Sequence, residues 1–381
     1  MPENKDATTA AAAAPAGPEA RVRITSVSAA GAATVAGSAT AALGLTWVLY
    51  ERVLPFSGVL GFWLSWYAIF LLFYGLMAAL QWDRLEATSR VSAVAFGTGG
   101  ALALAIVVAI VAYTLLKGST AVRHLSFLTT SMAKSGPLLP LSVGGCLGGM
   151  VGTLEQIGLA TAFSLPLGLA AALFLAEVGG PLARPVRTIV EAMTALPDLV
   201  AGLFIYVLFI LSLGFFKSGL MAALAVSVTM MPIITRASEV VIRLVPGTLR
   251  EASYALGGSQ WRTVWNVILP TARSGLATAT VLAMARGIGE TAAVLFTAGF
   301  TKTLNFNPLS GPQINLPLFV WNYVHNEGDI PADYARGFGG AFVLVVLVLA
   351  LFTTARLIGG AAPGEPTRRQ RRRLRAEAAR A

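Results

Sequence analysis

Long apolar runs alternate with short polar breaks along almost the whole chain. A helix that crosses the hydrocarbon of a bilayer needs about 20 predominantly apolar residues. Eight runs reach that length: residues 28–50, 56–80, 91–116, 150–177, 189–214, 219–242, 274–300 and 338–359. The first consists mostly of Ala, Gly, Thr and Ser, residues that let helices approach closely in lipid. Pro166 and Pro232 fall inside runs, where neighbouring helices can satisfy the freed carbonyls, so each predicts a kink rather than an end. Residues 1–27 are Ala- and Pro-rich and predict a disordered tail, and residues 360–381 form a basic tail. Arg21 and Arg23 before an apolar stretch also fit a signal peptide. That stretch continues to Tyr50, past the roughly 7–15 apolar residues of a signal sequence, which favours a retained span. The pattern predicts an all-α, polytopic helical membrane protein.

One polar island interrupts it. Between Arg250 and Pro270 the chain reads REASYALGGSQWRTVWNVILP. Leu249, Ala252 and Leu256 recur at helical spacing, Gly257-Gly258 offers a turn, and Trp261, Val264, Trp265 and Ile268 recur as a second apolar face. The spacing predicts two short helices, the second ended by Pro270 before the next span. An amphipathic helix lying on the membrane surface is the alternative, but lipid asks only for amphipathicity. It does not explain the spacing of Glu251, Ala252, Gly257, Leu269 and Pro270.

Composition agrees with the pattern. Of 381 residues, 56% are hydrophobic and 12% charged, with mean hydropathy +0.72, against about 25% charged in soluble domains. The net charge of +10 is a matter of topology, since no nucleic-acid-reading module accompanies it. With the amino terminus inside, 20 of the 28 Lys and Arg fall in inner segments and seven in outer ones. Positive residues mark the cytoplasmic side, so both termini and the polar island are expected to face the cytoplasm, and segments 117–149 and 301–337 the exterior. Trp321 and Tyr323 in the second of these are candidates for an interfacial aromatic belt. That segment reads equally as an ordered surface loop or as a docking surface. The single Cys146 excludes an internal disulfide and reads as a packing residue. His124 and His325 have no partner at ligand spacing, so no metal is expected. No Gly-Lys pair occurs, hence no phosphate-cradling loop of the kind that binds ATP. No triad stands out either, and the chain reads as lacking a catalytic site and a cofactor of its own.

Arg286 is the only Lys or Arg near the middle of a predicted span, Arg236 and Arg356 lying toward the inner ends of theirs, and Glu290 follows it four residues on. Intramembrane charges are costly and face a partner or a cavity. Two accounts compete: a self-neutralising pair, or a substrate path in which the arginine fork meets an anion. Glu155 is expected near an interface, Glu177 and Glu191 in surface pairs with Arg184 and Arg187. Asp198, after Pro197, either caps a broken helix or lines the path.

The polar island resembles the EAA loop of bacterial ABC importer permeases. The segment ARGIGETAAVLFTAGF from Ala285 resembles the R-x-x-G-E-T signature of phosphate-specific permeases. ALPDLVAGLFIYVLF from Ala195 resembles their L-P-S-I-V-x-G-L-F segment, with Asp198 where serine is usual. The resemblance, to the PstA-type permeases, covers residues 143–359. It implies a type I ABC permease core at 150–359 with the EAA loop at 250–270, preceded by extra helices and a first core span at 28–116. It also implies a multi-pass bacterial inner-membrane subunit that imports phosphate. The implied partners are a PstC-like permease, two PstB-like ATPases that bind the ATP, and a PstS-like external binding protein. Arg286, Glu290 and Thr291 would then line the substrate path, and Glu251, Ala252, Gly257, Leu269 and Pro270 would couple to the ATPase. An importer of another oxyanion or solute and, as a different class, an ion-coupled secondary carrier are the alternatives. A carrier would be expected to show internal repeats, and none is evident.

Overall fold

A computed structural model of the chain describes residues 29–53, 58–136, 138–325 and 331–359. The tails expected at 1–27 and 360–381 lie outside the described residues. Every regular element among the described residues is helical. Seven helices are long and apolar enough to cross a membrane, or eight if one bent pair counts as a span. The chain is a multi-pass membrane protein. It divides into two compact units, Met1–Val108 and Ala109–Ala381, with the boundary inside one long helix.

In the first unit α1 (Ala29–Val48) packs on α2 (Val59–Gln81). The fully buried Ala42 gives the aromatic side chains of α2 room to settle beside α1. Phe62, Trp63, Trp66, Phe70 and Tyr74 follow one another along α2, with ring centroids 5.5–6.1 Å apart. The Trp66 indole donates to the Ala39 carbonyl (3.1 Å), as a buried indole N–H must find an acceptor. α3 (Arg84–Val122) has 39 residues, about 58 Å at 1.5 Å per residue. It outreaches a hydrocarbon layer of about 30 Å, which is why it exceeds the predicted run 91–116.

The second unit is built on α5 (Leu147–Leu173) and α8 (Gly219–Arg243), its most extensively packed pair. Small residues make the approach possible. A Cβ added at Gly168 would lie 2.9 Å from Ile234 Cγ2, and one at Gly287 would lie 2.7 Å from Met230 Sδ. In lipid, where apolar side chains gain nothing by leaving their surroundings, such close packing is what joins helices. α5 and α8 run on through Pro166 and Pro232. α11 (Leu269–Ile288) lies against α8 and α14 (Pro331–Gly359).

Three expectations about spans need correction. The run 189–214 is two helices, α6 (Ala183–Ala195) and α7 (Asp198–Ile205), the latter continued by a π-helical stretch (Tyr206–Ser212) and bent 104° from α6. Proline pushes the residue before it out of the helical region; Leu196 is extended (φ −67°, ψ 128°), and the chain turns there. The run 274–300 also breaks: α11 stops at Ile288, and a separate α12 (Ala292–Thr297) follows Gly289. Pro270, finally, ends nothing. Helix is continuous from Gln260 to Ile288, because Val264–Ile268 is a π-helical turn and Pro270 opens the next α-helical stretch, where its missing N–H costs little.

The described residues of segment 117–149 fold onto the second unit. After α3 come α4 (Leu125–Thr129) and a 3₁₀ turn (Met132–Lys134), packed with α13 (Leu316–His325) around Phe127, Met132, Leu316 and Phe319. Cys146 is fully buried in this cluster, the packing role expected of it. Tyr323 is buried too, its hydroxyl bonded to Ser135 Oγ (2.7 Å), so it belongs to the core and not to an interfacial belt. Arg336 has no exposed surface. Its guanidinium bonds to Asp333 (2.8 Å) and to the carbonyls of Gly136, Leu139 and Pro140 (2.8–3.1 Å), clamping those three residues onto α14. Removing one partner of a buried ion pair costs about 3–5 kcal/mol, because the other charge is left uncompensated. Arg336→Met is therefore expected to lower the thermal midpoint of the detergent-purified protein and to open residues 136–143 to protease. An unchanged midpoint and cleavage pattern would count against the clamp.

Candidate functional sites

The polar island folds as α9 (Gly247–Ala255), a turn, and α10 (Gln260–Thr263). Gly257 has φ +79°, a region that L-residues with a Cβ avoid. Its N–H bonds to Tyr254 O, and that of Gly258 to Ser253 O (both 2.9 Å). Ser259 accepts from Arg262 N (3.4 Å) as the N-cap of α10, and the Ser253 and Thr263 hydroxyls bond across the turn (2.8 Å).

One arginine fixes this loop to the bundle. Arg250 forks onto Glu177 (2.8 and 3.2 Å) and reaches the carbonyls of Val245 (2.6 Å) and Ile242 (2.9 Å). Gln260 donates to the Glu177 carbonyl (2.7 Å). Glu177 thus pairs with Arg250 and not with Arg184 or Arg187, because the π-helical turn after α5 (Phe174–Val178) carries it under the loop. Glu191 meets Arg236 (3.4 Å), and Arg187 meets Glu239 (2.9 Å), so α6 is tied to α8 and not to its own charges.

The apolar face predicted for the second helix divides in two. Val264 and Ile268 are buried beside Ala172, Ile242 and Ala272, whereas Trp261 and Trp265 are exposed and in edge contact (5.5 Å). Glu251, Ala252, Leu256 and Pro270 are exposed, and Leu269 is half-buried. Leu249, Ala252, Leu256, Arg262 and Val267 line an open groove of about 380 Å³.

The second site is the charged cluster. Arg286 stands in the last turn of α11. It bonds Glu290 through one guanidinium nitrogen and Asp198 through another. Arg286 and Glu290 do meet, as their spacing foretold, although α11 ends between them. Asp198 opens α7 but caps nothing with its side chain; it turns to Arg286 instead. Its approach depends on Gly202, where an added Cβ would lie 2.5 Å from Ala293 Cα, so α7 and α12 nearly touch. Glu290 is held from behind as well, its carbonyl accepting from Asn315 (3.2 Å). Thr291 is half-buried and beside the cluster in sequence, with only a long contact to the Gly289 carbonyl (3.5 Å). Glu155, expected near an interface, is half-buried and accepts from the buried Gln313. The link from Asp198 to Arg286 escaped sequence reasoning. The signal was there: an acid beside a proline in an apolar run needs a cation, and only Arg286 was near the middle of a span. Among the described residues no three His, Cys, Asp or Glu gather as a metal site.

A profile of the family described as "Binding-protein-dependent transport system inner membrane component" matches residues 164–361, just over half of the chain. The chain belongs to this family. The chain is 34% identical to a phosphate transport system permease protein PstA 1 of Mycobacterium tuberculosis, over 72% of this chain and 90% of that protein. It is 34% identical to PstA of Mycobacterium leprae, over 70% and 87%, and 34% identical to PstA of Haemophilus influenzae, over 56% and 76%. Both sites lie inside the span matched by the family profile; α1 to α4 lie before it.

The turn of the family-matched loop is open to test. Gly257 has free space around a would-be Cβ, so Gly257→Ala is expected to cost only the backbone strain, about 1–2 kcal/mol. Gly257→Pro cannot adopt φ +79° and loses the bond to Tyr254 O, so it should dismantle the turn. Limited proteolysis across residues 250–263, with helical content followed by circular dichroism, checks the order. Equal resistance in both variants would be the contrary result.

Proposed function

We propose that the chain is a permease subunit of an ATP-driven phosphate importer in a bacterial inner membrane. It forms half of the translocation path and passes the ATPase stroke through the 250–270 loop. The observation that carries this reading is the likeness to phosphate permeases along most of their length. The exposed groove on the 250–270 loop supports an ATPase contact made by Glu251, Ala252, Gly257, Leu269 and Pro270. The half-exposed Arg286 supports a path lined by Arg286, Glu290 and Thr291. The other half of the path would come from a PstC-like permease, the ATP would be bound by two PstB-like ATPases, and phosphate would arrive on a PstS-like protein. A carrier working alone would have no use for an exposed, firmly anchored loop. An importer for another oxyanion shares all of these features and differs only in its anion. Co-purification of this chain with two ATPase subunits, and phosphate delivered by its binding protein stimulating their ATP hydrolysis, is the expected result. Stimulation by a different solute alone would replace phosphate in the reading.

The orientation follows from the positive residues: the 250–270 loop faces the cytoplasm and residues 301–315 the exterior. Burial pushes the Cys146 thiol up to about 12, so the native cysteine is silent and single cysteines report cleanly. Ser259→Cys should react with a membrane-impermeant maleimide only after the cells are opened, and Ser310→Cys in intact cells. The reverse labelling would invert the topology and remove the docking role with it.

Arg286→Gln is expected to abolish phosphate uptake while the complex still assembles. That variant leaves two carboxylates facing each other, so the informative companion neutralises all three: Asp198→Asn, Arg286→Gln, Glu290→Gln. If the arginine serves the anion, uptake stays lost. Recovery in the neutral triple variant would mean that Arg286 serves only to balance its neighbours.

A further inference from the structure

We propose that Asp198 determines which oxyanion this path accepts. Together with Arg286 it forms a donor–acceptor pair that takes a tetrahedral anion still bearing a proton, such as hydrogen phosphate, and refuses a fully ionised one, such as sulfate. The inference rests on the phosphate reading above and sharpens it.

The exposures separate the roles of the two carboxylates. The Glu290 side chain is 3% exposed, Asp198 29% and Arg286 48%. Glu290 sits behind the arginine, pinned through its own carbonyl by Asn315, and serves as its fixed counter-charge. Asp198 sits in front, beside the open part of the guanidinium. Two carboxylates share one guanidinium. An anion drawn to Arg286 therefore meets a fork that Glu290 engages from the buried side, with the more exposed Asp198 carboxylate beside it.

Arginine has five N–H donors, and the two carboxylates occupy only part of the fork. An incoming oxyanion can accept from the remainder. Its next oxygen then faces Asp198, and an ionised carboxylate only accepts. A P–OH turns that encounter into a charge-assisted hydrogen bond. Sulfate has no proton near neutrality, and two anionic oxygens are left face to face. Serine at this position, as in the segment that residues 195–209 resemble, would donate to either anion and could not discriminate. The 104° break at Leu196-Pro197 and the close passage at Gly202 put the carboxylate there.

The test uses the complete permease–ATPase complex in lipid nanodiscs without external binding protein, so that the path itself is read. Binding of ³²P-phosphate and ³⁵S-sulfate is measured by equilibrium dialysis. Wild type is expected to prefer phosphate by about tenfold or more, well short of the roughly 10⁴-fold of a fully enclosed hydroxyl-reading site, because Asp198 is partly exposed. Asp198→Asn and Asp198→Ser should lose that preference by gaining sulfate, whereas Asp198→Glu should keep it. Co-purification and melting of each complex verify assembly. If both neutral variants keep the wild-type preference, or wild type takes both anions alike, the role of Asp198 is overturned while phosphate transport stands. Wild type that binds neither anion would also overturn this inference, whereas the phosphate reading is decided separately, by whether the phosphate-loaded binding protein stimulates ATP hydrolysis.

Discussion

An arginine in an apolar bundle must be neutralised where it stands, and Arg286 is neutralised by residues from both sides of two helix breaks. Asp198 arrives from the broken span α6/α7, and Glu290 from just beyond the end of α11. Asp198 would not be in place in an uninterrupted helix, whereas Glu290 keeps its i, i+4 meeting with Arg286 although α11 ends between them. Irregular backbone at membrane depth is tolerated only where protein or water satisfies the freed groups. Here the breaks are covered: α12 packs on α7 and α8, and the Asn315 side chain donates to the Glu290 carbonyl while its Oδ1 accepts from Leu318 N (2.9 Å). The charged cluster and the irregular backbone each account for the other.

The same economy of space governs the rest of the second unit. Close approach is repeatedly set by a missing side chain: Gly168 under Ile234, Gly202 under Ala293, Gly287 under Met230. Each lets the glycine backbone sit closer to its neighbour than a methyl group would allow, and helix association in lipid depends on that proximity. Around these points the polar groups are held by side chains distant in sequence. Thr153 accepts from Leu316 N (2.8 Å), and Gln156 donates to the Gln313 carbonyl (3.1 Å), fastening the segment before α13 to α5.

The apolar runs were legible because about 20 residues of hydropathy is a long, redundant signal. The polar island was legible for the opposite reason, a short run of charges and tryptophans where hydropathy should have continued. What stayed hidden was direction. Pro197 announces an interruption but not a 104° turn, and Pro270 announces one that a π-helical turn absorbs. Periodicity likewise placed Trp261, Val264, Trp265 and Ile268 on one face, whereas the π-helical turn divides them between core and surface. Pairings across long separations were invisible for a related reason. Glu177 and Arg250 are 73 residues apart, Asp198 and Arg286 88. Sequence offers each charge several partners, and the nearest along the chain, Arg184 for Glu177, is not the one that packing selects.

The two sites are joined by physical contacts through α8. Its Glu239 holds Arg187, and its Arg236 holds Glu191, so α6 is tied to it at two points. Its last residue, Arg243, reaches the Leu175 carbonyl (3.1 Å), two residues before the Glu177 that anchors the 250–270 loop. A displacement of that loop therefore meets α5 and α8 before anything else, and α8 carries α6, whose continuation presents Asp198 to Arg286. Contact alone does not establish coupling between sites; that requires an element with two arrangements that both sites bias. α6 is held by exposed ion pairs, each weak in itself, and α7 by the charged cluster. The two halves are connected through Leu196 and Pro197, and a change of angle there would part Asp198 from Arg286 without unfolding either helix.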